Sequence, residues 1–332
     1  MKVSYEQRPV LKDALKKLIN SYGAPLGLGL IILLAALYIL LARGRGPLPE
    51  FPRDRGDFMQ AARAERRLEE LAKAVAQNPN DIKALDESGR LKFQLGTTRY
   101  VEAIADLERA RALGLADPRA FYYLGVMYQA VGLYDFAAQE YRRFLNNFPG
   151  DAEVRMLLAK LYYSAGDYPG AVREYEALRR DGADDAVLLE NLALARWKNK
   201  QDPAAALAEL RTKGAPGAFL ADYAEGRIKY ELKDYPAAQA LLARAAAAAG
   251  AGAFADQADL FWMAGDSAYK NKDAAAARGY LLELLKGSPG HEEGKALLSK
   301  VEKTLAAAEK ARLAAEKAAE KAAAKAAAQK KK

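Results

Sequence analysis

The residues able to do acid–base or metal chemistry are few in this chain. It has no Cys and one His, His291, which excludes cysteine-held metals, thiol nucleophiles and two-histidine metal sites. His291 and acidic pairs such as Asp184-Asp185 fall at predicted helix starts, where side chains satisfy free backbone N–H groups. We therefore predict no catalytic residue, no metal site and no cofactor, and we expect the chain not to be an enzyme.

Phosphate binding and nucleic-acid binding have little support in the sequence. The Gly27-Leu28-Gly29 triplet follows no predicted strand, so a phosphate-binding loop is not expected. Most of the formal net charge of +8 lies in residues 303–332, which hold nine Lys or Arg and three Glu. Basic and aromatic residues are not interleaved on one element, so we expect no nucleic-acid partner and no small-molecule substrate.

An uncharged apolar run near the N-terminus predicts a membrane span. Residues 23–42 contain no charged side chain, and a helix of that length is about 30 Å long, the thickness of a bilayer's hydrocarbon core. A cleaved signal peptide is the alternative, weakened by a long leader and the absence of a cleavage site. We expect a basic segment at residues 1–22, a transmembrane helix at 23–42 and a Gly/Pro linker at 43–56.

The orientation of that span is the less constrained part of the prediction. Basic residues nearly balance on its two sides. Carrying the short, basic N-terminal segment across a membrane is the harder operation. We therefore expect the N-terminus in the cytoplasm and the large C-terminal part exported.

The body of the chain repeats one helical pattern. Beyond Asp57, apolar residues recur at helical spacing between Gly, Asp and Pro residues. One small residue marks each of six copies, 33 to 39 residues apart: Gly89, Gly125, Ala159, Ala193, Gly226 and Gly265. The spacing predicts an all-α fold, an α-solenoid of about six antiparallel helix pairs with end caps over residues 57–305.

The pattern resembles the tetratricopeptide repeat (TPR) family. The second copy carries the landmarks most clearly: Gly125 and Tyr128, the turn Gly132-Leu133-Tyr134, Ala137 and Tyr141, and Pro149 at the end. The first copy has extra residues at its turn, and the fourth has Lys200-Gln201-Asp202-Pro203 in place of Gly-Asp-Tyr. The resemblance implies the fold and says little about the ligand.

The resemblance also implies a concave face lined by the first helix of each pair. In the family, positions three before and four after the small residue project into that face, and here they are rich in aromatic rings. These positions and the one following the small residue give the predicted partner-binding groove: Phe93, Tyr122, Lys160, Tyr163, Trp197, Tyr223, Arg227, Tyr230, Trp262 and Tyr269. The alternative is that the rings serve helix packing alone.

The residues that follow the small residues indicate which kind of partner segment the groove would bind. No Asn stands at these positions, so the clamp by which some family members hold a chaperone's C-terminal carboxylate is not expected. Arg90, Lys160 and Arg227 favour an acidic partner segment, with solvated charge as the alternative. Residues 306–332 form an Ala/Lys/Glu-rich basic tail, for which the composition predicts a helix held by propensity.

The layout resembles bacterial single-pass membrane-anchored TPR proteins. It implies a scaffold or adaptor in the bacterial inner membrane, with a periplasmic repeat domain that binds a protein partner and localises it to the cell envelope for assembly, secretion or appendage machinery. One alternative is a structural subunit of a large envelope complex, such as a flagellar or pilus-associated ring, forming homo- or hetero-oligomers. Another is a periplasmic chaperone near the export channel. Membrane contact is expected through residues 23–42.

Overall fold

The structure is a computed structural model that describes residues 53, 55–248 and 257–329. Secondary structure in these residues is helical, with 3-10 turns at Arg55–Asp57 and Thr97–Arg99. The α-helices are α1 (Ala61–Gln77), α2 (Ile82–Leu95), α3 (Tyr100–Ala112), α4 (Arg119–Ala130), α5 (Tyr134–Asn147), α6 (Ala152–Ser164), α7 (Tyr168–Arg180), α8 (Ala186–Lys198), α9 (Ala204–Arg211), α10 (Gly214–Glu231), α11 (Tyr235–Ala248), α12 (Gln257–Lys270), α13 (Ala274–Gly287) and α14 (Glu292–Gln329).

The chain divides into two compact units. Unit 1 is Met1–Val154 and unit 2 is Arg155–Lys332. In unit 1, α1 packs on α2, and the pairs α2/α3 and α4/α5 follow. The helix α6 begins in the last three residues of unit 1 and continues into unit 2, where it pairs with α7. Unit 2 also contains the pairs α8/α9, α10/α11 and α12/α13, with α14 packed on α13. Over the described residues, the predicted all-α solenoid of about six helix pairs is confirmed.

A small residue on the first helix of each pair lies directly against the second helix. A Cβ added at Gly125 would lie 2.5 Å from Cε1 of Tyr141, and one added at Gly226 would lie 2.8 Å from Cγ of Leu242. In the third and fourth copies the same place is held by Ala159 and Ala193, both fully buried. The small residue therefore sets how closely the paired helices approach, because at the glycine positions even a methyl group would force the facing side chain to shift.

The turns between paired helices need a left-handed residue. Gly132 and Gly166 supply it with φ of 81° each. In the fifth and sixth copies Lys233 and Lys272 adopt φ of 61° and 65° instead. A residue with a Cβ is strained in this region, so these two turns store a local energetic cost.

Aspartates following these turns begin the second helices. Asp167 accepts a hydrogen bond from the Gly170 N–H at 3.0 Å, and Asp273 accepts one from the Ala276 N–H at 3.0 Å. Each bond satisfies a backbone donor that the first helical turn leaves free. The recurring turn motif thus ends one helix and caps the next.

The first and fourth copies depart from the common geometry. In the first, Leu107 follows Gly89 by eighteen residues, two more than separate Gly125 from Tyr141, and the extra residues form the Thr97–Arg99 turn. In the fourth, α9 has only eight residues. The chain returns sharply there, and glycine is needed at position 217 because a Cβ would collide with the Leu210 carbonyl oxygen.

The predicted N-terminal transmembrane helix needs a correction. None of the helices in residues 55–248 and 257–329 has the length and hydrophobicity required to span a bilayer. Residues 23–42, on which that prediction was placed, lie outside the described residues. The fold is therefore described without a transmembrane helix, as successive helix pairs followed by α14, which runs unbroken from Glu292 to Gln329.

Candidate partner-binding face

The ten predicted groove residues differ in exposure. Phe93, Tyr122 and Tyr223 are only 5%, 4% and 5% exposed, so their rings belong to the packed interior and offer no surface to a partner. Whether they take part in a partner-binding groove stays a prediction of the sequence. Lys160 is exposed, and the six others are half-buried: Tyr163, Trp197, Arg227, Tyr230, Trp262 and Tyr269.

In unit 1 the predicted groove rings are covered by the chain itself. Phe93 stacks on Tyr100 with ring centroids 5.6 Å apart, and the Phe58 ring meets its edge at 6.0 Å. The Arg53 guanidinium lies 4.9 Å from the Tyr122 ring centroid. The segment preceding α1 therefore occupies the surface that the sequence assigned to a partner.

In unit 2 the first helices α6, α8 and α10 leave a face that is partly open. Tyr163 on α6 and Trp197 on α8 each stand four residues after their copy's small residue. Both rings pack with one side against the same cluster, which includes Leu194 and Ile228. Lys198 holds its Nζ 4.5 Å from the Trp197 ring centroid. The rings are thus anchored by the core and only half-buried.

Glu190 is a site residue that the sequence prediction did not select. It lies on α8, three residues before Ala193, at a position that the repeat pattern directs to the same face. Burial raises the pKa of its carboxyl to about 7. The positive charges of Arg227 and Lys160 act in the other direction and lower this pKa, but the effect of burial is larger. The sequence did contain an indication of this residue. In most copies the position three residues before the small residue holds a large side chain, and in the fourth copy it holds an acidic one.

The two cations near Glu190 are weakly paired. Arg227 places Nε 3.8 Å from Oε1 of Glu231, and Lys160 has no ion pair within 4.0 Å in the part of the chain that the structure describes. Arg90 in unit 1 is different, since it pairs with Asp86 and lies 3.9 Å from Asp117. Lys160 and Arg227 are therefore less closely compensated by carboxylates than Arg90 is.

The Tyr163 hydroxyl adds an unused polar group to this face. Its oxygen is buried and has no hydrogen-bond partner among the described residues. Burial raises the pKa of this hydroxyl, so the group stays protonated and can donate. We define the α6–α8–α10 face by Lys160, Tyr163, Glu190, Trp197 and Arg227.

The last predicted groove residues have partners of their own. The Tyr230 hydroxyl donates to Oδ2 of Asp266 at 2.7 Å. Trp262 lies against His291 with ring centroids 5.2 Å apart, and His291 Nδ1 accepts the Gly294 N–H at 3.0 Å. Tyr269 packs into the cluster formed with α13 and α14. These contacts stabilise the C-terminal pair and give the rings a structural role.

The described residues show no constellation suited to catalysis. No group of three or more His, Asp or Glu side chains in this part of the chain is placed to hold a metal ion. Asp185, one of the acidic pair in the sequence, accepts the Leu188 N–H at 2.9 Å and caps α8. The polar side chains that the sequence singled out therefore act within the fold.

The structure repeats one helical motif. In each copy two antiparallel helices are connected by a turn with a left-handed residue, and a small residue on the first helix lets the second pack closely. This arrangement defines a class of helical repeat proteins. Two models, both described as tetratricopeptide repeat, match the sequence, one at residues 128–195 and the other at 94–152 and 223–292. The chain belongs to the tetratricopeptide repeat family. This family and fold indicate a protein-interaction scaffold.

Solved structures with the same fold are distant in sequence. The C-terminal part of a TPR repeat-containing protein from Cytophaga hutchinsonii is 18% identical, covering 71% of this chain and 95% of that one, with a TM-score of 0.51. PilW, a type IV pilus biogenesis factor, is 20% identical over 63% of this chain and 98% of its own, with a TM-score of 0.49. Likeness at these identities shows the fold alone. A search among curated proteins finds no match.

Proposed function

We propose that this protein is a scaffold whose unit 2 binds an extended segment of a partner protein on the α6–α8–α10 face. The observation that carries the proposal is the juxtaposition of core-anchored, partly open rings with weakly paired cations. Tyr163 and Trp197 supply aromatic edges, and Lys160 and Arg227 supply charge. Aromatic residues that keep a fixed position are where binding free energy concentrates in protein interfaces.

The charges on this face favour a carboxylate on the partner segment. Lys160 and Arg227 both act electrostatically on the Glu190 carboxyl, so both cations belong to the surroundings of this one residue. An Asp or Glu side chain on the partner would pair with charges that the fold leaves weakly compensated.

A structural-subunit function is the second candidate, and one observation favours it. The turn between α4 and α5 exposes Leu133, Tyr134 and Phe136 by 45%, 53% and 52%. Neighbouring exposed apolar side chains of this size are typical of a protein contact. Replacing Tyr134 and Phe136 with Ser should abolish self-association, measured by sedimentation velocity, if copies of the chain stack through this turn.

Residue-specific crosslinking in cells tests the scaffold proposal. A photoreactive residue replaces Trp197 in the full chain, and the crosslinked partner segment is identified by mass spectrometry. A second chain carries the same group at Arg173, whose side chain is 62% exposed on α7 of the same unit. We expect a defined crosslink at position 197 that is absent at position 173.

The charge contribution is checked in the same experiment. Lys160→Glu should reduce the yield of the crosslink at position 197, because it reverses the charge facing the partner's carboxylate. Lys295→Glu, a substitution on the exposed surface of α14, serves as the matched control and should leave the yield unchanged. Equal crosslinking at positions 197 and 173 would exclude the α6–α8–α10 face as the binding surface. Placement at the cell envelope stays a prediction of the sequence.

A further inference from the structure

We propose that unit 1 contains an arginine-binding subsite, formed by Asp151, Glu153, Tyr122 and Phe144, which the chain's own Arg53 fills as an intramolecular ligand. The ligand class is the guanidinium of an extended, arginine-bearing peptide. When Arg53 is withdrawn, the subsite takes such a peptide from another molecule. This site is separate from the α6–α8–α10 face, and the proposal goes beyond the function assigned to that face.

The Arg53 guanidinium is held on three sides. Its Nη1 and Nη2 donate to Oδ1 and Oδ2 of Asp151 at 3.2 and 2.5 Å, and Nη1 also donates to Oε2 of Glu153 at 2.7 Å. The ring centroids of Tyr122 and Phe144 lie 4.9 and 5.5 Å from its central carbon. A two-pronged carboxylate and two aromatic faces together match a planar guanidinium, and a Lys ammonium would match them less well.

The helices of unit 1 fix this cradle without help from Arg53. Asp151 Oδ1 accepts the Val154 N–H at 3.0 Å, so the carboxylate is oriented by its role at the start of α6. The Tyr122 hydroxyl donates to Oε1 of Glu153 at 3.0 Å. Phe144 is fully buried. The subsite is therefore preorganised, which lowers the cost of binding a guanidinium there.

An empty subsite would leave charge uncompensated in the interior. The Asp151 side chain is 2% exposed, and withdrawing the Arg53 guanidinium would take away the counter-charge that its carboxylate contacts at 2.5 Å. Losing one partner of a buried ion pair is strongly unfavourable, so the vacated position attracts another cation. This gives a driving force for capture of an arginine from a separate peptide.

The residues that follow Arg53 in the chain also contact the helices of unit 1. The Phe58 ring meets Phe93 edge-on at 6.0 Å, and the Met59 N–H donates to Oε1 of Gln94 at 3.1 Å. The segment is thus bound as a peptide ligand would be, with a guanidinium in one subsite and an aromatic ring five positions later in another. A partner that docks here must displace this segment, which makes the N-terminal segment a competitor for the site.

A peptide in trans tests the proposal on the full chain. The probe is a fluorescent synthetic peptide copying residues 47–60, and its binding is measured by fluorescence anisotropy. We expect Arg53→Ala to bind the probe at least about tenfold more tightly than the wild-type chain, in which the tethered segment competes. A probe with Ala at the place of Arg53 should not bind. Adding Asp151→Asn to Arg53→Ala should abolish binding of the arginine probe.

Two further variants are controls. One tests whether losing any positive charge increases probe binding, and the other tests the Arg53 guanidinium without removing the charge. Arg63→Ala, on the exposed surface of α1, should bind the probe no better than wild type. Arg53→Lys keeps the positive charge but loses the two-pronged pairing of the guanidinium with Asp151. It should therefore remain folded, as checked by circular dichroism, and still bind the probe. It replaces Arg53→Ala in the experiment if Arg53→Ala does not fold. The proposal is overturned if folded Arg53→Ala or Arg53→Lys binds the arginine probe no better than wild type does. It is equally overturned if the Ala probe binds as well as the arginine probe.

Discussion

Individual glycines determine whether the two helices of a pair can pack against each other in this protein. Gly125 and Gly226 lie where a Cβ would collide with Tyr141 and Leu242, and both of those side chains are fully buried. A glycine in a helix interior costs about 1 kcal/mol relative to Ala. The fold accepts that cost because the close approach buries the second helix against the first.

Two glycine substitutions should have opposite effects for this reason. Gly125→Ala should destabilise the protein by about 1–3 kcal/mol, since the buried Tyr141 ring has no room to move. Gly279→Ala, in α13 with no heavy atom within 4 Å of the added Cβ, should stabilise it by up to about 1 kcal/mol. Denaturant unfolding of both variants measures the difference. Equal shifts in the same direction would show that the Tyr141 contact does not set the helix spacing.

The Glu190 carboxyl predicts a pH dependence of stability. Its pKa is raised from 4.5 to about 7 in the folded chain, so between these values the folded state holds a proton that the unfolded state has lost. Stability should therefore fall as pH rises through this window and level off above pH 7. Glu190→Gln should remove this decline and be more stable than wild type at pH 8, by on the order of 1–3 kcal/mol.

The control for the Glu190 effect is a carboxylate exposed to solvent. Glu293 has a side chain that is 76% exposed, and Glu293→Gln should leave the pH dependence as it is in the wild type. Urea unfolding at pH 5, 6, 7 and 8 gives the comparison. A decline that survives in Glu190→Gln would assign the titration to another group.

At the scale of the element, the turn between paired helices is the feature that varies most. Glycine holds its left-handed position in the second and third copies, and lysine holds it in the fourth, fifth and sixth: Lys200, Lys233 and Lys272. The second helix still begins correctly after Lys272, because Asp273 caps it. The cap therefore preserves the turn where the preferred glycine has been lost.

Replacing a left-handed lysine with glycine should stabilise the fold. Lys233→Gly removes the Cβ clash at φ of 61° and should gain about 0.5–1 kcal/mol, a rise in Tm of about 1 °C for a chain of this length. Lys303→Gly, at an exposed position in the interior of α14, is the matched control and should lose about 1 kcal/mol. Thermal unfolding followed by circular dichroism measures both. A loss of stability in Lys233→Gly would mean that its side chain makes a compensating contact.

The sequence predicts the helix pairs because each depends on local chemistry. A small residue, a turn and a capping Asp recur at fixed spacing, and those positions suffice to place the pairs. Exposure of the predicted groove depends on what covers a ring from elsewhere in the chain. Tyr122 is covered by Arg53, whose contact with Asp151 joins residues 98 positions apart, and no repeat period contains that information. Glu190 was missed because its pKa follows from burial that only the packed helices create.

At the scale of the molecule, the two units differ in what they offer to a partner. Unit 1 already holds a peptide-like ligand, the segment at Arg53, on its predicted binding surface. Unit 2 leaves Lys160 and the Tyr163 hydroxyl without an internal partner among the described residues. Binding of a partner segment is therefore expected first on the α6–α8–α10 face, and binding on unit 1 requires displacement.

An array of twelve-residue peptides probed with the full chain tests the central claim most directly. The wild-type chain should select peptides that carry Asp or Glu beside an aromatic or aliphatic residue. Lys160→Glu should lose that selection, and Lys295→Glu, the matched surface substitution on α14, should keep it. Selection that does not depend on acidic residues, or that survives unchanged in Lys160→Glu, would contradict the assignment of the α6–α8–α10 face.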